Sequence, residues 1–184
     1  MPRKNAPPQD AIALLKRDHA EAAQLFERLQ SAADSEREDL AERICALLTM
    51  HATCEEELLY PAAHEVLDND AAVFEAEIEH GCARELIAQI DGLTVDDPRF
   101  GATVKVLREY VRHHVREEER QLFPRLRKTA LDLDGLGKSI RARQQELQHE
   151  GFSVDGPDAG IGNGDEDEDT DVARRRRVGY ATNH

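Results

Sequence analysis

The sequence contains no tryptophan, and only three tyrosines, five phenylalanines and three cysteines occur among its 184 residues. Leu, Ala, Glu and Arg dominate instead, which favours helices over sheets because straight-chain side chains lose little rotamer freedom in a helix. The cysteines, Cys45, Cys54 and Cys82, are odd in number and form no CxxC pair. This pattern argues against a disulfide framework and favours a reducing compartment. We therefore expect an all-α, cytoplasmic protein.

Long apolar runs are also missing, and no stretch approaches the roughly 18 residues that a membrane-spanning helix needs. The N-terminal segment MPRKNAPPQD has basic residues but no apolar stretch after them, so it does not have the pattern of a signal peptide. The formal net charge is -14, and it would repel a polyanion over most of the surface. The sequence thus predicts neither a membrane span nor a nucleic-acid partner, and it leaves the oligomeric state open.

Four long amphipathic segments and one shorter segment account for most of the chain. Polar or Gly- and Pro-containing stretches separate them, and the predicted helices cover about residues 10–30, 35–66, 71–90, 98–130 and 134–148. Pro61 is expected to end or kink the second helix, since proline removes a helical hydrogen bond. The four long helices predict an antiparallel up-down four-helix bundle.

The same pattern divides the chain into a bundle and its flanking segments. Residues 1–8 are predicted to be a disordered lead, residues 9–130 form the bundle, and residues 131–150 add a shorter fifth helix. From 151 to 184 glycine, aspartate and glutamate dominate before a run of four arginines. Such a composition buries too little apolar surface to offset its ordering entropy, so we predict a disordered acidic and basic tail.

Each long helix carries one histidine on its apolar stripe, at His19, His51, His80 and His114. A single histidine in such a position is more often a core or boundary residue than a ligand. Four of them, one per helix, together with carboxylates on the same stripes, would be costly to bury unless paired or bound to a cation. Antiparallel packing can bring all four to one level of the bundle. The stripes therefore predict a metal site in the core.

The carboxylates occur in a repeated motif, H-x3-E-E-x-x-L-[YF]-P, which spans residues 51–61 and again 114–124. The i,i+4 spacing places His51 with Glu55, and His114 with Glu118, on one helix face about one turn apart. Nitrogen and carboxylate ligands suit iron or manganese, and also zinc. Two glutamates from different helices can bridge two ions and leave two histidines for each. An oxo or hydroxo bridge and an open position would complete the coordination.

These residues resemble the hemerythrin-like (HHE cation-binding) domain family over roughly residues 9–130. The resemblance implies two iron ions and a ligand set of His19, His51, Glu55, His80, His114 and Glu118. Two features differ from the oxygen-carrying hemerythrins: Arg84 stands where they have a second third-helix histidine, and the fourth helix has H-x3-E in place of H-x4-D. The ligand set is similar to that of bacterial di-iron proteins linked to iron–sulfur repair and nitric oxide stress.

Several neighbouring residues have two interpretations each. Glu56 and Glu119 follow the motif glutamates, and they either orient a ligand histidine or lie on solvated faces. His113 points about 100° away from the stripe, which predicts a supporting or surface position. We expect Cys54 to be an inert, partly buried thiol. Arg84 either contacts an anionic ligand or forms a surface salt bridge.

Three functions are compatible with the sequence. The leading hypothesis is a di-iron protein that binds, senses or reduces O2, peroxide or nitric oxide in a stress response. No separate substrate pocket is recognisable in the sequence, which favours binding or sensing over turnover. The second is an iron storage, sensing or donation protein, with folding coupled to metal occupancy. The third is a protein-interaction module with a vestigial metal site.

Overall fold

The computed structural model describes residues 10–68 and 70–151, and this part of the chain contains helices and their connections but no strand. The helices are α1 (Ala11–Ser31), α2 (Asp34–Cys54), α3 (Tyr60–Leu67), α4 (Ala71–Asp91), α5 (Pro98–Glu117), α6 (Phe123–Leu126) and α7 (Leu133–His149). Two π-helical segments, Glu55–Leu59 and Glu118–Leu122, join α2 to α3 and α5 to α6. The predicted all-α bundle is confirmed, with α7 as its fifth helix.

The bundle consists of α1, the continuous helix from α2 to α3, α4, and the continuous helix from α5 to α6. Two residues join α1 to α2 and six join α4 to α5, so consecutive long helices pack as antiparallel neighbours. The predicted lead over residues 1–8 lies outside the described residues, and so does the predicted tail over residues 151–184 apart from its first residue. No helix in the described ranges combines the length and the apolar character needed to cross a membrane.

Aspartates determine where four of the helices begin. Their side chains accept a hydrogen bond from a backbone N–H in the first turn, at Asp10, Asp70, Asp97 and Asp132. Arg127, just after α6, also donates to the Asp10 carboxylate at 2.9 Å, and Arg125 donates to that of Asp70 at 2.9 Å. The end of the fourth long helix is therefore fixed to the starts of α1 and α4.

Pro61 interrupts regular α-helical hydrogen bonding without ending the helix. Proline has no N–H, so it cannot donate to the carbonyl four residues earlier. In the preceding turn the N–H of Tyr60 donates to the carbonyl of Glu55, five residues back, and the helix then continues to Leu67. The second copy of the motif repeats this arrangement over Glu118–Leu122. Such π segments are frequent at functional sites, and both begin at a motif glutamate.

The leucine and aromatic residue of each motif copy form the centre of the core. Leu59 and Tyr60 are completely buried, and Leu122 and Phe123 are at most 2% exposed. α7 packs along α1 and α2 and buries Ile140 among other residues. This packing places many apolar side chains around the middle of the bundle, and the polar groups there are buried.

Candidate metal centre

The structure brings all six predicted site residues together in the middle of the bundle. Each of them is at most 7% exposed: His19, His51, Glu55, His80, His114 and Glu118. α1 supplies the first histidine, α2 the second, α4 the third and α5 the fourth, while each π segment begins with one of the glutamates. Their ligand atoms cluster closely enough to hold metal ions.

The four histidines form two pairs that point their Nε2 atoms at each other. The Nε2 atoms of His19 and His51 are 3.1 Å apart, and those of His80 and His114 are 3.2 Å apart. Two ligands about 2.1 Å from one ion, at nearly a right angle, are about 3.0 Å apart. The spacing within each pair therefore fits two ligands of one metal ion, and the two pairs together fit two ions.

One oxygen of each glutamate lies between the two pairs. Oε2 of Glu55 is 3.1 Å from Nε2 of His51 and 3.3 Å from Nε2 of His80. Oε2 of Glu118 is 3.3 Å from Nε2 of His19 and 3.6 Å from Nε2 of His114. Each carboxylate thus contacts one histidine of each pair, which is the position that a bridging ligand requires.

The second glutamate of each motif copy lies on the Nδ1 side of a histidine from another helix. Oε1 of Glu56 is 3.0 Å from Nδ1 of His80, and Oε1 of Glu119 is 3.1 Å from Nδ1 of His19. Because these carboxylates accept from Nδ1–H, they leave the Nε2 lone pair free for a metal. These contacts favour the interpretation that Glu56 and Glu119 orient ligand histidines, and they argue against the interpretation that both lie only on solvated faces.

Two further carboxylates that sequence reasoning missed lie behind the other histidines. Oε2 of Glu79 is 2.9 Å from Nδ1 of His114, and Oδ2 of Asp18 is 3.9 Å from Nδ1 of His51. A signal for them was present, because each acidic residue directly precedes a buried histidine, in Asp18-His19 and Glu79-His80. All four histidines therefore have a carboxylate on the Nδ1 side, as metal-bound histidines usually do.

Glu79→Gln is expected to weaken metal binding by about 10–100-fold, the usual effect of losing a carboxylate that orients a ligand histidine. Competition with a chromogenic chelator measures this affinity. The matched control is Glu75→Gln, because Glu75 is exposed and lies one turn earlier on α4. Equal affinities of the two variants would contradict the role of Glu79 behind His114.

The cluster attracts positive charge. Burial by itself would raise the pKa of Glu55, but His51 and hydrogen bonds from the surrounding histidines hold that pKa well below its usual value. Burial would likewise lower the pKa of His114, yet Glu118 and the other nearby carboxylates outweigh it and raise the pKa to about 10. Protons bind to these nitrogens when no other cation competes, so a metal ion would displace protons as it binds.

The two motif copies differ at their aromatic residue. Tyr60 Oη lies 3.0 Å from Oε1 of Glu118, 3.2 Å from Oε2 of Glu55 and 3.3 Å from Nε2 of His80. Its counterpart Phe123 has no hydroxyl, and its ring stacks on His19 with centroids 5.8 Å apart. The sequence showed this position only as part of the repeated Leu, aromatic and Pro spacing within the motif. The fold places the Tyr60 phenol among the candidate ligand atoms.

A cavity of about 50 Å³ borders the cluster. All four histidines contribute to its wall, and much of the remaining lining is aliphatic, from Leu47, Leu48, Ala83, Ile87 and Val111. On the same measure a single water needs about 10–15 Å³. The cavity therefore has room for a diatomic or similarly small molecule, and its lining favours an uncharged one. No signal in the sequence had indicated it.

The remaining neighbours lie at the edge of the site. Arg84 forms an ion pair with Glu56, as the salt-bridge interpretation expects, and it also lines the cavity in which a small ligand would lie. His113 is half-exposed, with Nε2 3.3 Å from Oε1 of Glu79. Cys54 is buried, and burial together with nearby carboxylates raises the pKa of its thiol to about 12, which keeps it protonated and unreactive.

Comparison with known proteins gives a family and a fold. Residues 10–126 match the family described as the hemerythrin HHE cation binding domain. The crystal structure of a hemerythrin HHE cation binding domain-containing protein from Mycobacterium kansasii superimposes with a TM-score of 0.67. That alignment covers 77% of this chain and 88% of the other, at 22% sequence identity, so it shows a shared fold.

One curated relative is a protein from Nostoc sp. (strain PCC 7120) named DNA nickase. It is 31% identical over 115 residues, which are 62% of this chain and 32% of the relative. The chain therefore spans about a third of the length of this relative.

Proposed function

Because this chain belongs to the hemerythrin HHE cation-binding family, we propose that it holds two non-haem iron ions and binds, senses or reduces a small oxidant such as O2, peroxide or nitric oxide. The proposed ligands are His19, His51, Glu55, His80, His114 and Glu118. The observation that carries this proposal is the pairing of the four Nε2 atoms around two shared carboxylate oxygens. It supports two ions, each of which one histidine pair would hold, with Glu55 and Glu118 as ligands that both ions could share.

The donor set is compatible with iron, and the family to which the chain belongs favours iron over the other metals. Imidazole nitrogens and carboxylate oxygens without a thiolate suit iron and manganese, and also zinc. Four protein ligands per ion leave coordination positions open, and bound iron would supply electrons and such an open position to a small ligand. The cavity beside the histidines supports a ligand of diatomic size.

The chain's own residues would orient the ligands and line the space beside them. Glu119, Glu56 and Glu79 accept from Nδ1–H of His19, His80 and His114, which fixes the orientations of these three rings. The Tyr60 hydroxyl donates to Oε1 of Glu118 and so keeps a proton beside a bridging carboxylate. The aliphatic part of the cavity lining, including Leu47 and Ile87, makes the space beside the histidines largely apolar.

A cytoplasmic stress-response role is part of the proposal. The cytoplasmic compartment is supported by the three cysteines, all of which are free thiols in the described chain, as expected in a reducing compartment. Nucleic-acid binding is not included, because a net charge of -14 would repel DNA. The name of the Nostoc relative does not change this, since about two thirds of that protein lies outside the match.

Metal analysis of anaerobically purified protein, combined with its optical spectrum before and after O2, peroxide or nitric oxide, tests the proposal. We expect about two irons per chain, as the two histidine pairs require, and an iron-dependent visible absorption that changes with at least one of the three molecules. Bound iron without any spectral response would favour storage or donation of iron instead. A chain that takes up no metal would contradict the proposal and favour an interaction module.

A further inference from the structure

α7 reaches the metal centre although it lies beyond residues 10–126, the part of the chain that matches the family. Its buried face carries Ile140, Gln144 and Leu147, at helical spacings of four and three. Gln144 is only 6% exposed. A glutamine between two apolar core residues is costly to bury unless its amide is hydrogen-bonded. Its partner should therefore explain why a polar residue stands there.

The partner is the carboxylate behind His51. Gln144 Nε2 donates to Oδ2 of Asp18 at 2.7 Å, and Asp18 is 2% exposed. The same oxygen faces Nδ1 of His51. Arg17 donates to the other oxygen of Asp18, at 3.1 Å. Both oxygens of this buried carboxylate are thus held, one by α7 and one by α1 itself.

The two halves of the bundle, α1–α3 and α4–α6, differ in the carboxylate that faces a histidine of the cluster. Asp18 and Glu79 occupy equivalent positions, each directly before a histidine of the cluster. Asp18 is one methylene shorter, and its oxygen lies 3.9 Å from the histidine that it faces, compared with 2.9 Å for Glu79. Within the described residues, Nδ1 of His51 is a buried nitrogen without a hydrogen-bond partner. The orientation of His51 therefore depends on how firmly Asp18 is held.

We propose that Gln144 is a positioning residue for the metal centre, which holds Asp18 against the Nδ1 side of His51 and so stabilises the ion bound by His19 and His51. This inference rests on the proposed function. A second contact supports it: Arg143, the preceding residue, binds Glu57 through two nitrogens, at 2.6 and 3.1 Å. Glu57 belongs to the π segment that begins at Glu55, so α7 is fixed to the same part of the site.

Gln144→Leu tests the proposal because it removes the donor and keeps an apolar side chain of similar size between Ile140 and Leu147. The variant is loaded with iron, reduced, and mixed with a ferrous chelator, and release is followed by absorbance. We expect one of the two ions to leave about 10-fold faster than in the wild type, at the lower end of the effects of such supporting residues. The other ion, on His80 and His114, should leave at the wild-type rate.

Two controls separate positioning from packing. Gln145→Leu makes the same change at the exposed neighbour and should release both ions as the wild type does. Leu147→Ala weakens the packing of α7 without removing the donor, so it should lower the melting temperature without producing a selective fast phase. A Leu147→Ala chain that shows the same biphasic release would overturn the proposal.

A double-mutant cycle with Asp18→Ala shows whether Gln144 acts through Asp18. If it does, Gln144→Leu should cause no further acceleration in the Asp18→Ala background. An undiminished effect there, or wild-type release from Gln144→Leu alone, would overturn the positioning role while leaving the proposed function intact. Failure of the wild-type chain to bind iron would instead contradict both.

Discussion

Glu55→Gln is expected to abolish tight binding of both metal ions. Oε2 of Glu55 lies within 3.9 Å of Nε2 in three of the four histidines, at 3.1 Å from His51, 3.3 Å from His80 and 3.9 Å from His114. The amide that replaces the carboxylate has no charge, and it cannot offer two anionic oxygens to a pair of cations. Because supporting residues alone contribute about 10–100-fold, loss of this shared ligand should weaken affinity by at least about 100-fold.

Metal content by elemental analysis and affinity by chelator competition measure this change. Glu65→Gln is the matched control, because Glu65 is exposed and lies on α3, the continuation of the same helix. Circular dichroism of both variants checks that the bundle forms. If Glu55→Gln retained two ions at wild-type affinity, the assignment of Glu55 as a bridging ligand would be wrong.

Removal of the metal is expected to lower the melting temperature by about 8–16 °C for each ion removed. A ligand present at about 1,000 times its dissociation constant stabilises the folded state by about 4 kcal/mol. In a chain of this size each kcal/mol corresponds to about 2–4 °C. The physical reason lies in the site, where Oε1 of Glu55 and Oε2 of Glu118 are buried without a hydrogen-bond partner in the described structure. A cation stabilises such groups, which are costly to leave unsatisfied.

Thermal unfolding of the iron-loaded protein, with and without prior chelation and dialysis, measures this difference. The Glu55→Gln variant is the control, since a chain that holds no metal should unfold at the same temperature before and after chelation. An unchanged melting temperature in wild-type protein from which elemental analysis shows the iron to be gone would contradict coupling between occupancy and stability. The bundle would then be held by its apolar core alone.

The relation between the two halves of the bundle became apparent only in three dimensions. The H-x3-E-E motif is visible as a repeat, but its contacts cross between the halves: Glu56 orients His80 and Glu119 orients His19. Within each half the contacts stay local: Asp18 on α1 faces His51 on α2, and Glu79 on α4 faces His114 on α5. The two halves therefore support each other's ligands, and departures from this symmetry, at Tyr60 and Asp18, identify places where the two ions would differ.

The six candidate ligands could be predicted from the sequence because helix geometry is local. Residues three or four apart share a face whatever surrounds them, so one histidine per stripe and the spacing from His51 to Glu55 indicated inward-facing groups. The long helices and the α7 segment followed from the same periodicity, and their observed bounds differ from the predicted ones by one or two residues, except at α2–α3 and α5–α6. There the π segments divide the helices, and the last turn ends at Leu126 in place of residue 130.

The offsets between helices, in contrast, are not encoded in any local pattern. Packing of the core decided that His19 pairs with His51 and His80 with His114, since side chains 30 or more residues apart meet only when the helices have a particular register. The same packing created the cavity and placed Tyr60 between the two glutamates. It also brought Gln144 to Asp18, 126 residues away in the chain. The sequence by itself determined which residues face inward, and the tertiary structure decided which of them meet.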